Sequence, residues 1–500
     1  MGSRIAPVRR SRKGWRLTAV VGIAGAVALA GCSSSATSSP GTGSTGTSTG
    51  APAGGTSSAP GNATSGTITW SANPINPGGH DVRQVLISDF EKQYPNIHVN
   101  LVSAPNNTDT YRAQLTTQIS GGASTPDVYN GDVIWPAQFA AHQLAVPLSD
   151  YLPSSYWNQF APGLVQGASY KGKVYGSPLY EDQGFLFYRK DLLQKDNLPV
   201  PQTWEQLQSD ATKLVKAGLV KYGYVWQGAS YEGLTCNFME YLTDAGGTVT
   251  NSSYTKATLD SAAAGKATTF MRSLITSGAT PSAVTTFKED QAMATFAGGQ
   301  SAFLRNWDYA WSVSQTKGSS AVIGKVGVAP LPTFQGQSYP GYSNIGGWNL
   351  YINPHSKNFA ADLTFIKFLA SDQAQLDLAK IASSIPTTTS VRSNPAVIAE
   401  SPTLATVPKT KLVPRPAGTP NYPQLSTAIY TNVNSALAGS TSASAAMSAA
   451  QSQANTALSS SVGGLYHQIA HVQGRVRRQA PGPGRAHQRG GPGVTTGQGV

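Results

Sequence analysis

The order of elements predicts an α/β fold built around a parallel sheet. Residues 67–70 read as a short strand and 81–94 as a helix, and Ile97, Val99 and Leu101 alternate with polar residues as a second strand. A strand–helix–strand succession is the connection that parallel pairing requires. The chain has 500 residues, a length for two to three domains.

The elements follow from their patterns in turn. The first helix carries Val82, Val85, Leu86 and Phe90 on one face, and Pro95 stops it. Tyr111, Leu115 and Ile119 mark a second helix, ended by Gly121-Gly122. Pro126-Asp127-Val128 opens a strand-like segment that leads to Asp132. Pro201 and Thr203 start another helix, with Gln206 in capping-box position and Trp204, Leu207, Leu214 and Val215 on its apolar face. Phe359, Leu363, Ile366 and Leu369 mark a helix late in the body, and Leu425, Ile429, Val433 and Leu437 another. Residues 440–461, rich in Ala, Ser and Gln, are expected to continue as a helix packed on the surface.

The formal net charge of +12 sits mostly at the ends. Arg4, Arg9, Arg10, Arg12, Lys13 and Arg16 open the chain, and Arg475, Arg477, Arg478, Arg485 and Arg489 close it. Without them, 25 bases face 24 acids. A near-neutral body lacks the basic face that nucleic-acid binding needs. Two cysteines, Cys32 and Cys236, exclude a disulfide framework and a zinc site of cysteine type. Cys236 reads as a small buried hydrophobe. The histidines are scattered with no metal-ligand spacing, so neither a metal nor a cofactor is expected.

The N-terminus has the three parts of an export signal. Arg9 to Lys13 is basic, residues 17–30 are mostly apolar and too short for a membrane span, and Leu29-Ala30-Gly31-Cys32 closes the segment. Small residues before a cysteine resemble the bacterial lipobox, which implies cleavage after residue 31 and lipidation of Cys32. Residues 32–66 are almost wholly Ser, Thr, Gly, Pro and Ala and read as a disordered tether with a span of roughly 30 Å. The match to G-x-G-x-x-G at residues 41–46 has no strand before it and is read as chance. Residues 474–500 read as a disordered basic tail.

Several separated blocks carry a family resemblance. They are Phe90 to Val99, Pro126 to Trp135 with Phe139-Ala140, Tyr175 to Pro178, and Phe187 to Leu193. Then come Phe296 and Gly299 ahead of Asn306-Trp307-Asp308-Tyr309-Ala310-Trp311, Gly346-Gly347-Trp348, and Arg415-Pro416 with Asn421-Tyr422. In this order they resemble the extracellular solute-binding proteins of ABC sugar importers, nearest to the trehalose/maltose type of actinobacterial lipoproteins. The resemblance implies a two-lobed periplasmic-binding-protein fold (type II) with hinge-linked, discontinuous lobes and a ligand cleft between them. One lobe would be 67–178 with 349–395, the other 183–345 with 400–465. It further implies a monomer, not an enzyme, with a neutral sugar ligand, ABC permease subunits as partners, and a place on the outer membrane face.

A neutral sugar offers many hydroxyls and an apolar C–H face on each ring. It is met by aromatic planes and by carboxylates, amides and Arg, since a buried polar group left unpaired costs about 1–3 kcal/mol. Eight of the nine Trp lie in the body. Residue by residue, the resemblance makes Trp307 and Trp348 stacking platforms, and Asp132, Asp182, Asn306 and Arg415 hydrogen-bonding groups. Tyr180 and Gly347 are added, with Asn73 or His80 as further polar contacts. Other readings of the same residues stand beside these: Trp204 and Trp311 as core, Asp132 as a cap before Val133, Asp182 as a solvated loop acid, Arg415 as a salt-bridge partner. The alternatives in function are a secreted carbohydrate hydrolase, which needs two carboxylates across one glycosidic bond, and the same fold binding an oligosaccharide, polyol or peptide.

Overall fold

Strand β1 (Gly66–Ala72) lies parallel to β2 (Ile97–Ser103) in full register, Gly66 opposite Ile97 and Ala72 opposite Ser103. The helix Val82–Gln93 joins them, as the alternation and the apolar face require. Asp81 caps this helix by accepting from Arg83 N. The computed structural model describes residues 65–461. The export signal, Cys32, nearly all of the tether and the basic tail lie outside the described residues.

The remaining strands are β3 (Val128–Asp132), β4 (Ser169–Tyr170), β5 (Lys173–Val174), β6 (Ser177–Arg189), β7 (Tyr222–Val225), β8 (Ser301–Trp307), β9 (Val326–Ala329), β10 (Tyr342–Ile352) and β11 (Lys411–Val413). Nine of them form one sheet of order β2-β1-β3-β10-β6-β8-β7, with β11 on β10 and β9 on β6. The sheet is mixed rather than parallel. Parallel pairing holds for β1 with β2 and β3, for β7 with β8, and for β11 with β10. In between, β10 runs antiparallel to β3 and β6, and β6 antiparallel to β8 and β9. The difference comes from β6 and β10, two long strands that run the length of the crossing in opposite directions. The first part of β6 pairs with β10, and its last six residues pair with β8 and β9. Nearly every residue of β6 is buried, so no alternation marks it in the sequence.

The helices fall close to expectation. Thr108–Ser120 ends at Gly121, and Trp204–Lys216 starts at the N-cap Thr203. The capping box closes differently: Thr203 Oγ1 accepts from Gln206 N, but Gln206 Oε1 takes Gln202 N. Phe359–Leu369, Tyr422–Leu437 and Ala443–Ser459 are all present, and the last packs on Tyr422–Leu437 through Ala446, Ala450 and Ala454. Trp70, Phe90, Phe365 and Phe368 make an edge-to-face aromatic cluster at one end of the sheet. Trp204 is core, 4.4 Å from the Tyr241 ring with Nε1 donating to Asp244. Trp311 is half-buried against the cluster of Phe185, Phe187 and Leu304.

Candidate functional site

The register of the crossing strands assembles one cavity. Trp348 stands opposite Asp132 on one side and Tyr180 on the other, Gly346 opposite Asp182, and Gly184 opposite Trp307. Side chains two apart share a face of a strand, so Tyr180 joins Asp182, and Trp348 joins Gly346. Together with Trp307, Gly347 and Arg415 they line a cavity of about 90 Å³. Glu181 and Asn349, on the other face of the same strands, line a second cavity of about 740 Å³. All the ligand candidates but Asn306 line the smaller space, and Tyr180 and Arg415 border both.

Trp307 stands at the end of β8, half-buried, with one ring face 4.1 Å from the Arg305 guanidinium. Its Nε1 donates to Glu289 at 3.3 Å. Gly346 lets β10 pass close by: a Cβ there would lie 3.1 Å from both the Trp307 ring and Asp182 Cβ. Gly347 has φ +125°, and a Cβ would meet Tyr180 O at 2.5 Å. Trp348 borders the cavity but leans on Trp135 (5.9 Å) and Tyr111 (6.3 Å), so much of its ring is core.

Arg415 joins segments far apart in the chain. Its Nη2 donates to Asp132 Oδ1 at 2.8 Å and its Nη1 to Glu232 Oε1 at 2.9 Å. Asp132 also accepts from Thr108 Oγ1 and from Ile134 N, so it caps the turn after β3 and holds the ion pair at once. The salt-bridge and cavity readings of Arg415 both apply. Glu232 is buried, accepts from Tyr422 OH and Ser426 Oγ, and desolvation pushes its carboxyl up to about 7 against the pull of Arg415. The helix Glu232–Asp244 has its first amide, Glu232 N, capped by Asp109 Oδ2 from the helix Thr108–Ser120. Asn106 Nδ2 reaches Asp290 at 3.1 Å. These contacts tie the β1–β3 side to the helix on the far side of the cavity.

Asp182 is half-buried beside the cavity and in hydrogen-bond contact with the fully buried Asp308. Burial raises both carboxyls, that of Asp182 to about 7. The Asp182 charge raises Asp308 further, whereas the contact with Asp308 lowers Asp182 and the charges of Asp132 and Glu181 raise it. Asp182 is thus not a solvated loop acid.

Asn306 is corrected by the structure. It is fully buried and does not border the cavity. Its Oδ1 accepts from Trp307 N at 2.8 Å and its Nδ2 reaches the Tyr309 hydroxyl, so it fixes the backbone under Trp307. The side chains of a strand alternate, and Asn306 points away from the face that Trp307 shows. Asn73 borders the cavity and bonds Tyr180, whereas exposed His80 does not border it. Cys236 is buried at its wall. Sequence reasoning missed Glu232, Glu289, Tyr231 and Asp308. The first three come from helix starts remote in sequence, but Asp308 adjoins Trp307 and carried a signal.

The family model for bacterial extracellular solute-binding protein matches residues 76–376. A probable ABC transporter-binding protein of Deinococcus radiodurans is 35% identical over 350 residues, 68% of this chain and 81% of the relative. The maltose-bound MalE3 of T. maritima superposes with a TM-score of 0.73 at 35% identity, over 78% of this chain and 99% of that one. An ABC transporter solute-binding protein of Thermotoga lettingae, solved with α-D-tagatose, gives 0.72 at 26% identity, over 79% and 100%. One from Agrobacterium radiobacter, solved with ribitol, gives 0.68 at 26%, over 78% and 98%. These neighbours share the two-lobed architecture that β6 and β10 join here. With the crossing strands, the cavity between them and matches of this extent, the chain belongs to the bacterial extracellular solute-binding proteins.

Proposed function

We propose that this protein captures a neutral sugar, a disaccharide of the maltose or trehalose kind, and delivers it to the permease of an ABC importer. The observation that carries this is the Trp307 face beside Asp182, Asp132 and Arg415 in one cavity. That is an aromatic plane for a C–H face with hydroxyl partners around it. The 35% identity to the maltose-bound protein over 99% of its length supports a related ligand. Residues 67–178 with 349–395 and residues 183–345 with 400–465 are the two lobes of this reading. Sugar contacts to both favour a closed form over an open one. Cleavage before Cys32 and its lipidation would hold the protein at the outer membrane face.

The test is isothermal titration against maltose, trehalose and a panel of sugars and polyols. One-to-one binding of a disaccharide supports the reading; a verified folded sample that binds no sugar defeats it. A second reading, a polyol or monosaccharide ligand, draws on the small cavity and on the tagatose- and ribitol-bound neighbours. The titration ranks the two directly. For a hydrolase, the Asp182–Asp308 pair fits poorly. Its carboxyls touch, whereas glycosidases hold theirs about 5–9.5 Å apart with the glycosidic bond between.

A further inference from the structure

We propose that Asp182 and Asp308 share one proton at neutral pH, and that this proton is required for ligand capture, with Asp182 presenting the pair to the ligand and Asp308 positioning it from behind. The inference rests on the sugar reading of the cavity.

The geometry demands a donor that the protein does not supply. Asp308 is fully buried, and its Oδ1 accepts from Gln183 N at 3.2 Å. Its Oδ2 is also buried and has no donor among the described residues. The neighbour in hydrogen-bond contact is Asp182, another carboxyl. Two carboxylate oxygens in contact are held together only by a proton between them. The charged groups around the pair offer no substitute. Arg415 commits both terminal nitrogens to Asp132 and Glu232, and its Nε, though without a partner, bonds neither carboxyl of the pair. Arg305 is buried, bonded to Glu240 and Gln227, beneath Trp307. Asp132 and Glu181 act on Asp182 as further negative charges, and Tyr180 and Tyr309 are neutral hydroxyls with raised pKa values. Among the described residues no group of three or more carboxylate, His or Cys side chains could hold a metal ion there. The upward displacement of both carboxyls by burial agrees with a proton retained near pH 7.

The consequence concerns recognition. With the proton, the pair carries one charge and Asp182 keeps an oxygen to accept from a sugar hydroxyl. Without it, a second buried charge appears in a wall that already holds Asp132 and Glu232, and the pair's own contact breaks. Sugar affinity then falls as pH rises through the pair's titration, by up to about tenfold per pH unit.

The experiment uses the full chain and its Asp308→Asn variant, which keeps the shape and supplies a permanent amide donor. Maltose is titrated from pH 5 to 9, and infrared difference spectra of variant minus wild type are recorded at pH 7 without sugar. The proposal expects a protonated-carboxyl C=O band lost in the variant, a wild-type Kd that weakens above pH 7, and a variant Kd that stays flat. A missing band overturns it, as does a wild-type Kd that is flat to pH 9. A variant that keeps the wild-type pH slope overturns it too. If no sugar on the wider panel binds at any pH, the sugar reading fails and the coupling with it, while the infrared band still decides whether the proton is shared. If Asp308→Asn does not fold, binding heats of the wild type in two buffers at pH 8.5 decide instead: proton uptake with the sugar supports the proposal, and its absence overturns it.

Discussion

Trp307 is held from three sides: Arg305 beneath its ring, Glu289 on its indole nitrogen, and Asn306 on its backbone. A ring fixed before the ligand arrives loses little freedom on binding, so its truncation removes a preformed contact. Trp307→Ala is expected to weaken sugar binding by about 2–4 kcal/mol, roughly 30- to 900-fold in Kd, read by titration calorimetry. Asp308 gives a stability prediction with a definite sign. An acid whose pKa in the fold lies above its value of 3.8 in the unfolded chain favours folding when protonated. That contribution is full below about pH 4 and is lost as pH rises through the folded value. Asp308→Asn removes the loss. The variant should be more stable than wild type at pH 8 and converge with it below about pH 4, measured by urea denaturation. A gain that grows toward acid pH would contradict the assignment.

Among the elements, β6 and β10 decide the site, and at Gly347 β10 leaves no room for a side chain against β6. A methyl group there meets the Tyr180 carbonyl at 2.5 Å, in a backbone region that side chains avoid. Gly347→Ala should cost about 2–4 kcal/mol in denaturant stability, with Gly122→Ala, which has positive φ but open space, as the milder control. At the helix Glu232–Asp244, Asp109→Ala uncaps the first amide and should cost about 1 kcal/mol. The same elements mark how far the sequence could be read. The helices with one apolar face were legible, from Val82–Gln93 to Tyr422–Leu437, because their apolar residues recur at helical spacing. The direction of β10 was not, since pairing partners far apart leave no local mark. Trp307, Asp182 and Asp132 were singled out by the family resemblance, residue by residue; no local pattern marks Asp182, which lies inside β6. Glu232 was invisible, because a Glu opening a helix reads as a dipole partner, and only the fold brings Arg415 and Tyr422 to it.

For the whole molecule, both parts of the sheet are built on the same two strands. Loss of one part leaves half of β6 unpaired, so the described body should unfold in one step, with tryptophan fluorescence and far-ultraviolet dichroism superimposing. Sugar at one hundred times its Kd should add about 2.7 kcal/mol to that single step. Two resolved transitions would show that the parts fold separately. The crossing also has a mechanical character. A force that drew the two parts straight apart would load the β6–β10 hydrogen bonds in shear, all at once along the ladder, rather than peeling them one by one. A force that turned one part against the other would meet the soft twist of a two-strand ribbon and the side-chain contacts of Arg415, Asp109 and Asn106 across the cavity. The joint is thus stiff to stretching and compliant to torsion, so thermal agitation moves the molecule along the one coordinate that leaves its ladder intact.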